Sequence, residues 1–281
     1  MQDKTPACRR YATTIIDKMK QQLTLLFTAL QFYTRIPAPE WVVYKPENLS
    51  LATKYLPVVG WIVGLISGLT WLAGSYLTDI SIGLLFSIIA SILTTGAFHE
   101  DGFADVCDGL GGGWTKEKIM EIMKDSRVGT YGSVGLILIL ATKFYILQQL
   151  AKLINNDPFT LIIILVTAHA ISRFMPVLVI FTQSYSRETD DSKSKPVAQT
   201  IDISIVTTAG IFALIPLLVL VFISNQILLL LSVVFLLIIT FFMSRYFKKW
   251  IGGYTGDCLG AIQQICEVGF YFFIAVLWKF I

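Results

Sequence analysis

His99 to Gly113 reads HEDGFADVCDGLGGG, and it follows directly on the apolar segment Ile80 to Phe98, ISIGLLFSIIASILTTGAF. Four carboxylates, Glu100, Asp101, Asp105 and Asp108, therefore arrive at the end of a stretch suited to a membrane interior, where charge is costly. If Glu100 to Asp108 is helical, Asp101, Asp105 and Asp108 fall within an arc of roughly 60°. Acids packed on one face repel one another unless a cation lies among them, and an all-oxygen set favours a hard ion such as Mg²⁺. Mg²⁺ in turn points to a phosphate-bearing substrate. A solvated helix end accounts equally well for Gly109 to Gly113, but it leaves the recurrence of acids on one face unexplained.

Working outward, apolar runs recur along almost all of the 281 residues: 55% are hydrophobic and only 15% are charged. This is the composition of a polytopic integral membrane protein, all-α, in a single transmembrane domain over 1–281. Residues 1–56 form a cytoplasmic region with an amphipathic or half-inserted helix, since Leu23 to Phe32 is too short to span and Pro37 and Pro39 stop it. Over 57–281 seven spans are expected: Pro57–Leu77, Ile80–Phe98, Tyr131–Leu150, Phe159–Thr182, Ile203–Ile223, Ile227–Ser244 and Asp257 to about Trp278. Gly60, Gly64 and Gly68 line one face of the first and predict close packing against another helix. The polar stretch Gln183 to Asp202 reads as a loop without fixed structure. Cys8, Cys107, Cys258 and Cys266 show neither zinc spacing nor a disulfide framework.

Basic residues report topology. Eighteen of the twenty-two Lys and Arg fall on the side that carries the acidic stretch, which the positive-inside rule makes cytoplasmic. The expected location is the inner cell membrane, multi-pass, with membrane lipid as a partner and the polar segments facing the cytoplasm. The net charge of +3 gives no support to nucleic acid binding.

Several other pieces lie on that same side. Lys124 and Arg127, in KDSRVGTYG, supply positive charge close in sequence to the acids, and Asp125 is placed either to orient Arg127 or to join the ligands. His169 and Arg173 share a face of the fourth span, His169 being either a backbone-bonded core histidine or a substrate contact. Gly253, Thr255 and Asp257, in GGYTGD, suit either a phosphate-approach turn or a plain helix cap.

Together HEDGFADVCDGLGGG, KDSRVGTYG, FYTRIPAP, LPVVGWIVG and GGYTGDCLGA, spread from Phe32 to Ala261, resemble the cobalamin synthase family, the adenosylcobinamide-GDP ribazoletransferases. The resemblance implies a Mg²⁺-dependent transfer: a hydroxyl of α-ribazole, or of its phosphate, attacks the cobinamide-side phosphorus of adenosylcobinamide-GDP, and GMP leaves. It implies Glu100, Asp101, Asp105 and Asp108 as metal ligands, Asp101, Asp105 and Arg127 as catalytic, and Lys124, Asp125, His169, Arg173, Gly253, Thr255 and Asp257 as substrate contacts. Oligomeric state, including a homo-oligomer, is left open. Two other readings stand beside it: a transporter of a divalent cation or organic anion, and an enzyme like the CDP-alcohol phosphotransferases, whose Asp-Gly-x-x-Ala-Arg pattern is absent here.

Overall fold

The computed structural model describes residues 7–186 and 201–280, with side chains from residue 16 onward. The central part of the polar loop, 187–200, lies outside the described residues, as do 1–6. The α-helices are α1 Ala7–Tyr33, α2 Asn48–Ala52, α3 Leu56–Leu77, α4 Ile80–Thr95, α5 Phe98–Gly112, α6 Lys116–Ile122, α7 Thr130–Leu153, α8 Pro158–Thr182, α9 Ile203–Ser224, α10 Leu231–Ile251 and α11 Gly256–Trp278. Among the described residues six runs are long and apolar enough to cross a membrane: Asn48–Leu77, α7, α8, α9, Ile227–Ile251 and α11. Helices α4 and α5 make a seventh passage only as a pair, bent by 89°. The protein is a multi-pass membrane helix bundle.

That bend corrects the expectation of one straight span over Ile80–Phe98. Helix α4 opens on Asp79, whose carboxylate accepts from the backbone N–H of Ser81 and Ile82 at 2.7 and 3.1 Å. It ends at Thr95, where Gly96 and Ala97 both take left-handed backbone, φ 65° and 58°. For alanine this conformation costs roughly 1–2 kcal/mol. Two hydrogen bonds hold it, one local and one from afar: Ala97 N–H donates to the Ile92 carbonyl at 2.9 Å, and Arg35 N–H, from the loop after α1, to the Thr94 carbonyl at 2.7 Å. Helix α5, with its acids, consequently runs across the end of α4 rather than along it.

The glycine stripe on α3 packs against α8. A methyl group at Gly60 would strike the His169 carbonyl, and one at Gly64 would lie 2.6 Å from the Val166 Cα. In α8 and α11 much of the length is buried, including Ala168–Ser172 in the one and Gly260–Gln264 in the other. They form the axis of the bundle, whereas α7 and α10 carry broad apolar surface outward, as lipid-facing helices do. Helix α1 is amphipathic: Leu25, Ala29 and Tyr33 are buried while Lys18 and Lys20 are exposed.

Candidate active site

Helix α5 is held from two sides. Gly102 abuts the start of α11, so that a Cβ there would come within 2.9 Å of the Asp257 Cα. Gly260 lies correspondingly close to the His99 carbonyl. Small residues at these two points bring the acid-bearing helix and the N-terminus of α11 into backbone contact.

The four acids then part company. Asp101 is exposed and Asp105, one turn on, is half-buried. Glu100 turns inward: its Oε1 accepts from Gln264 Nε2 at 3.0 Å, and its buried Oε2 has no protein hydrogen-bond partner. Asp108 is buried, and both oxygens are engaged, Oδ2 by Gly129 N–H at 2.7 Å and Oδ1 by Gly132 N–H at 2.8 Å. Gly129 is the N-cap of α7 and lacks a cap of its own, so Asp108 caps that helix from a different one. The side-chain contact also explains the glycines, since a Cβ at Gly132 would overlap the carboxylate.

Lys124, Asp125 and Arg127 form the tip between α6 and α7. The Arg127 guanidinium donates to Asp125 through Nη2 at 2.6 Å and Nε at 3.0 Å, and these bonds hold the Asp125 carboxyl down at about 2. Asp125 therefore orients Arg127, the first of the two roles open to it. Arg127 itself is exposed, as is Lys124.

At the turn from α10 to α11, each group has a structural task. A Cβ at Gly253 would overlap the Ser184 carbonyl, because Ser184–Ser186 pairs with Tyr254: Tyr254 N–H donates to Ser184 at 3.1 Å, and Ser186 N–H to Tyr254 at 2.9 Å. The glycine thus admits the chain that leaves α8. Buried Thr255 is the N-cap of α11, its Oγ1 accepting from Cys258 N–H at 3.3 Å. Asp257 lies in the first turn, against α5.

His169 and Arg173 lie deep within the bundle and belong to a network that the sequence pattern shows only as scattered polar residues. Glu267 is its hub. It forms an ion pair with Lys143 of α7, faces His169 Nδ1 at 3.3 Å, and accepts from Gln263 Nε2 at 2.8 Å and Tyr271 Oη at 3.4 Å. Gln264 donates to the Gln263 amide oxygen at 2.9 Å and, as noted, to Glu100. Arg173 Nη1 donates to the His169 carbonyl at 3.0 Å and lies 3.0 Å from its Nδ1. Acids and bases here neutralise one another, and the chain of contacts runs from mid-bundle to the first turn of α5. Lys143, Gln263, Gln264 and Glu267 are visible in the sequence as polar residues inside spans, the one signal that marks them.

The donor set suits Mg²⁺ in a particular way. Among the described residues no three acidic, histidine or cysteine side chains converge as a preformed cage. Mg²⁺ does not require one, since it is commonly held by one or two carboxylates with substrate phosphate and water. Asp101, exposed, and Asp105, half-buried and one helical turn on, are two carboxylates whose spacing is compatible with that mode of binding.

A profile of the family described as cobalamin-5-phosphate synthase matches residues 25–275. A Shewanella frigidimarina protein named adenosylcobinamide-GDP ribazoletransferase is 42% identical over 260 residues, covering 92% of this chain and 96% of its own. A Leptospira interrogans protein of the same name is 41% identical over 268 residues, covering 94% and 99%. No solved structure matches.

Proposed function

The chain belongs to the cobalamin-5-phosphate synthase family, and from that premise we propose that it acts as an adenosylcobinamide-GDP ribazoletransferase whose chemistry takes place along the outer face of α5. A ribose hydroxyl of α-ribazole, or of its phosphate, forms a bond to the cobinamide-side phosphorus; the bond from that phosphorus to the bridging oxygen breaks, and GMP leaves with that oxygen. The product is adenosylcobalamin or its phosphate.

The observation that carries this reading is the backbone contact of Gly102 with Asp257. It sets the first turn of α11, whose N–H groups and helix dipole favour anions, beside Asp101 and Asp105. Pyrophosphate held there lies between amide donors and carboxylates. Asp101 and Asp105 would hold Mg²⁺, which when bound offsets the charge of the pyrophosphate. One of these carboxylates accepts the proton of the attacking hydroxyl. Lys124 and Arg127 offset charge on departing GMP, Asp125 fixing the guanidinium. Glu100 and Asp108, engaged with Gln264 and with α7, position the helix. The distribution of Lys and Arg supports a cytoplasmic orientation of this face in the inner membrane.

Purified protein in detergent, supplied with adenosylcobinamide-GDP and α-ribazole, is expected to release GMP in a Mg²⁺-dependent manner. GMP release at the same rate in Asp101→Asn and Asp105→Asn would overturn the site.

A further inference from the structure

A narrow slot opens to the surface beside the first turn of α5. Its walls are mostly apolar, aromatic at Phe32, Tyr33 and Phe98 and aliphatic at Leu56, Ile180 and Leu259. Phe98 packs edge-on against both Phe32 and Tyr33, with ring centroids 5.7 and 5.6 Å apart. Arg173, 1% exposed, lines the slot, and its Nε–H has no hydrogen-bond partner although Nη1 is engaged. Gln263 also lines it, but both of its donor bonds are made to Ser172 and Glu267.

The slot therefore presents mostly apolar walls, with Tyr33 and His99 among them, and one fully buried donor, Arg173 Nε–H, in want of an acceptor. A group that fills it well is planar, apolar at its edges, and carries a single acceptor atom. Guanine meets these terms less well, since its edges carry more donors and acceptors than the few polar groups of the lining can satisfy. A corrin ring is far too large. The dimethylbenzimidazole base of α-ribazole does: two methyl groups, a fused bicycle, and one unsubstituted ring nitrogen. Phe98 and His99 line the slot and immediately precede Glu100 and Asp101 in α5, so a nucleoside seated by its base has its sugar at the acid-bearing turn.

We infer that this slot is the base-binding subsite of the acceptor nucleoside, with Arg173 Nε–H donating to the unsubstituted ring nitrogen. The inference rests on the transferase reading above and names which substrate occupies which part of the site.

Leu259→Trp fills the slot from α11 and leaves every residue of the buried ionic network unsubstituted. It is expected to raise the KM for α-ribazole at least about tenfold while the KM for adenosylcobinamide-GDP changes less than about twofold. An unchanged KM for α-ribazole, or a rise confined to adenosylcobinamide-GDP, overturns the assignment. The donor is tested on the unaltered protein by the benzimidazole fluorescence of α-ribazole, with displacement by an analogue in which the acceptor nitrogen is replaced by C–H. The analogue is expected to bind at least about tenfold more weakly, and Arg173→Gln to abolish the difference. Equal binding of the two by the unaltered protein overturns the role of Arg173, whether or not the variant folds, and displacement of α-ribazole by GMP from the slot overturns its assignment. Binding of α-ribazole with no GMP release under any condition would instead remove the transferase reading and leave the slot standing.

Discussion

Lys143 and Glu267 form an ion pair between α7 and α11 in which the two side chains are 3% and 1% exposed. At 1.5 Å rise per residue Glu267 lies about 16 Å, and Lys143 about 20 Å, from the acid-side ends of their helices, near the middle of a bilayer. A pair so placed is strongly coupled, because removing one partner leaves an uncompensated charge in the interior. Lys143→Met alone is expected to destabilise the protein by about 3–5 kcal/mol, read as a lower melting temperature in detergent. The double variant Lys143→Met, Glu267→Gln should recover much of the loss. Additive losses would mean that the two residues act independently.

The four acids of α5 should separate by assay. Asp108→Asn retains one acceptor oxygen where two backbone N–H groups must be met, so about 1–2 kcal/mol of stability should be lost. Asp101→Asn should melt like the unaltered protein, and in both Asp101→Asn and Asp105→Asn GMP release should fall by two orders of magnitude or more. Equal melting of all three variants would contradict the clamp on α7.

Removal of divalent metal with a chelator should stop GMP release and leave the melting temperature within about a degree, because the fold needs no preformed cage to hold α5 in place. Added Mg²⁺ should restore turnover. A large drop in melting temperature on chelation would point to a structural metal instead.

Gly64→Leu is expected to unfold or severely destabilise the bundle, since even a Cβ there meets the Val166 Cα at 2.6 Å. Backbone at such a distance cannot yield as a side chain does. Gly210, where a Cβ would meet only the Phe174 ring at 3.3 Å, should accept alanine with a change of under about 1 kcal/mol. Thermal unfolding of the two variants side by side reads the contrast.

A reporter fused after Lys116 should read cytoplasmic and one at Asn155 external, following the Lys and Arg bias. The opposite pattern would place the acids on the wrong side for a nucleotide substrate.

The spans were legible because length and hydropathy suffice to show them, and the stripe of Gly60, Gly64 and Gly68 announced its own close contact. The elbow was not. Ala97 adopts left-handed backbone only because Arg35, sixty-two positions upstream, and the end of α4 hold the turn together, and no local pattern marks that. The acidic helix and the face shared by Asp101 and Asp105 follow from spacing alone, whereas the turning of Glu100 toward Gln264 depends on a helix far along the chain. At Gly253 the sequence leaves a phosphate-approach turn and a plain helix cap both open, because the backbone it makes room for, at Ser184, is remote in sequence. His169 and Arg173 share a face by spacing alone, but Glu267, the partner of His169, is placed only by the fold.

The Asp108 clamp has an effect on the loop it closes. The segment that leaves α5 after Gly112 returns to α5 at Gly129, so both of its ends are fastened to the same helix, and Ile119, fully buried, lies against Gly109 and Gly113 within it. The tip that bears Lys124 and Arg127 is thus cargo of α5. With α5 itself fastened to α7 through Asp108 and to α11 through Glu100, the anions of the helix and the cations of the tip share one framework and keep a fixed mutual spacing.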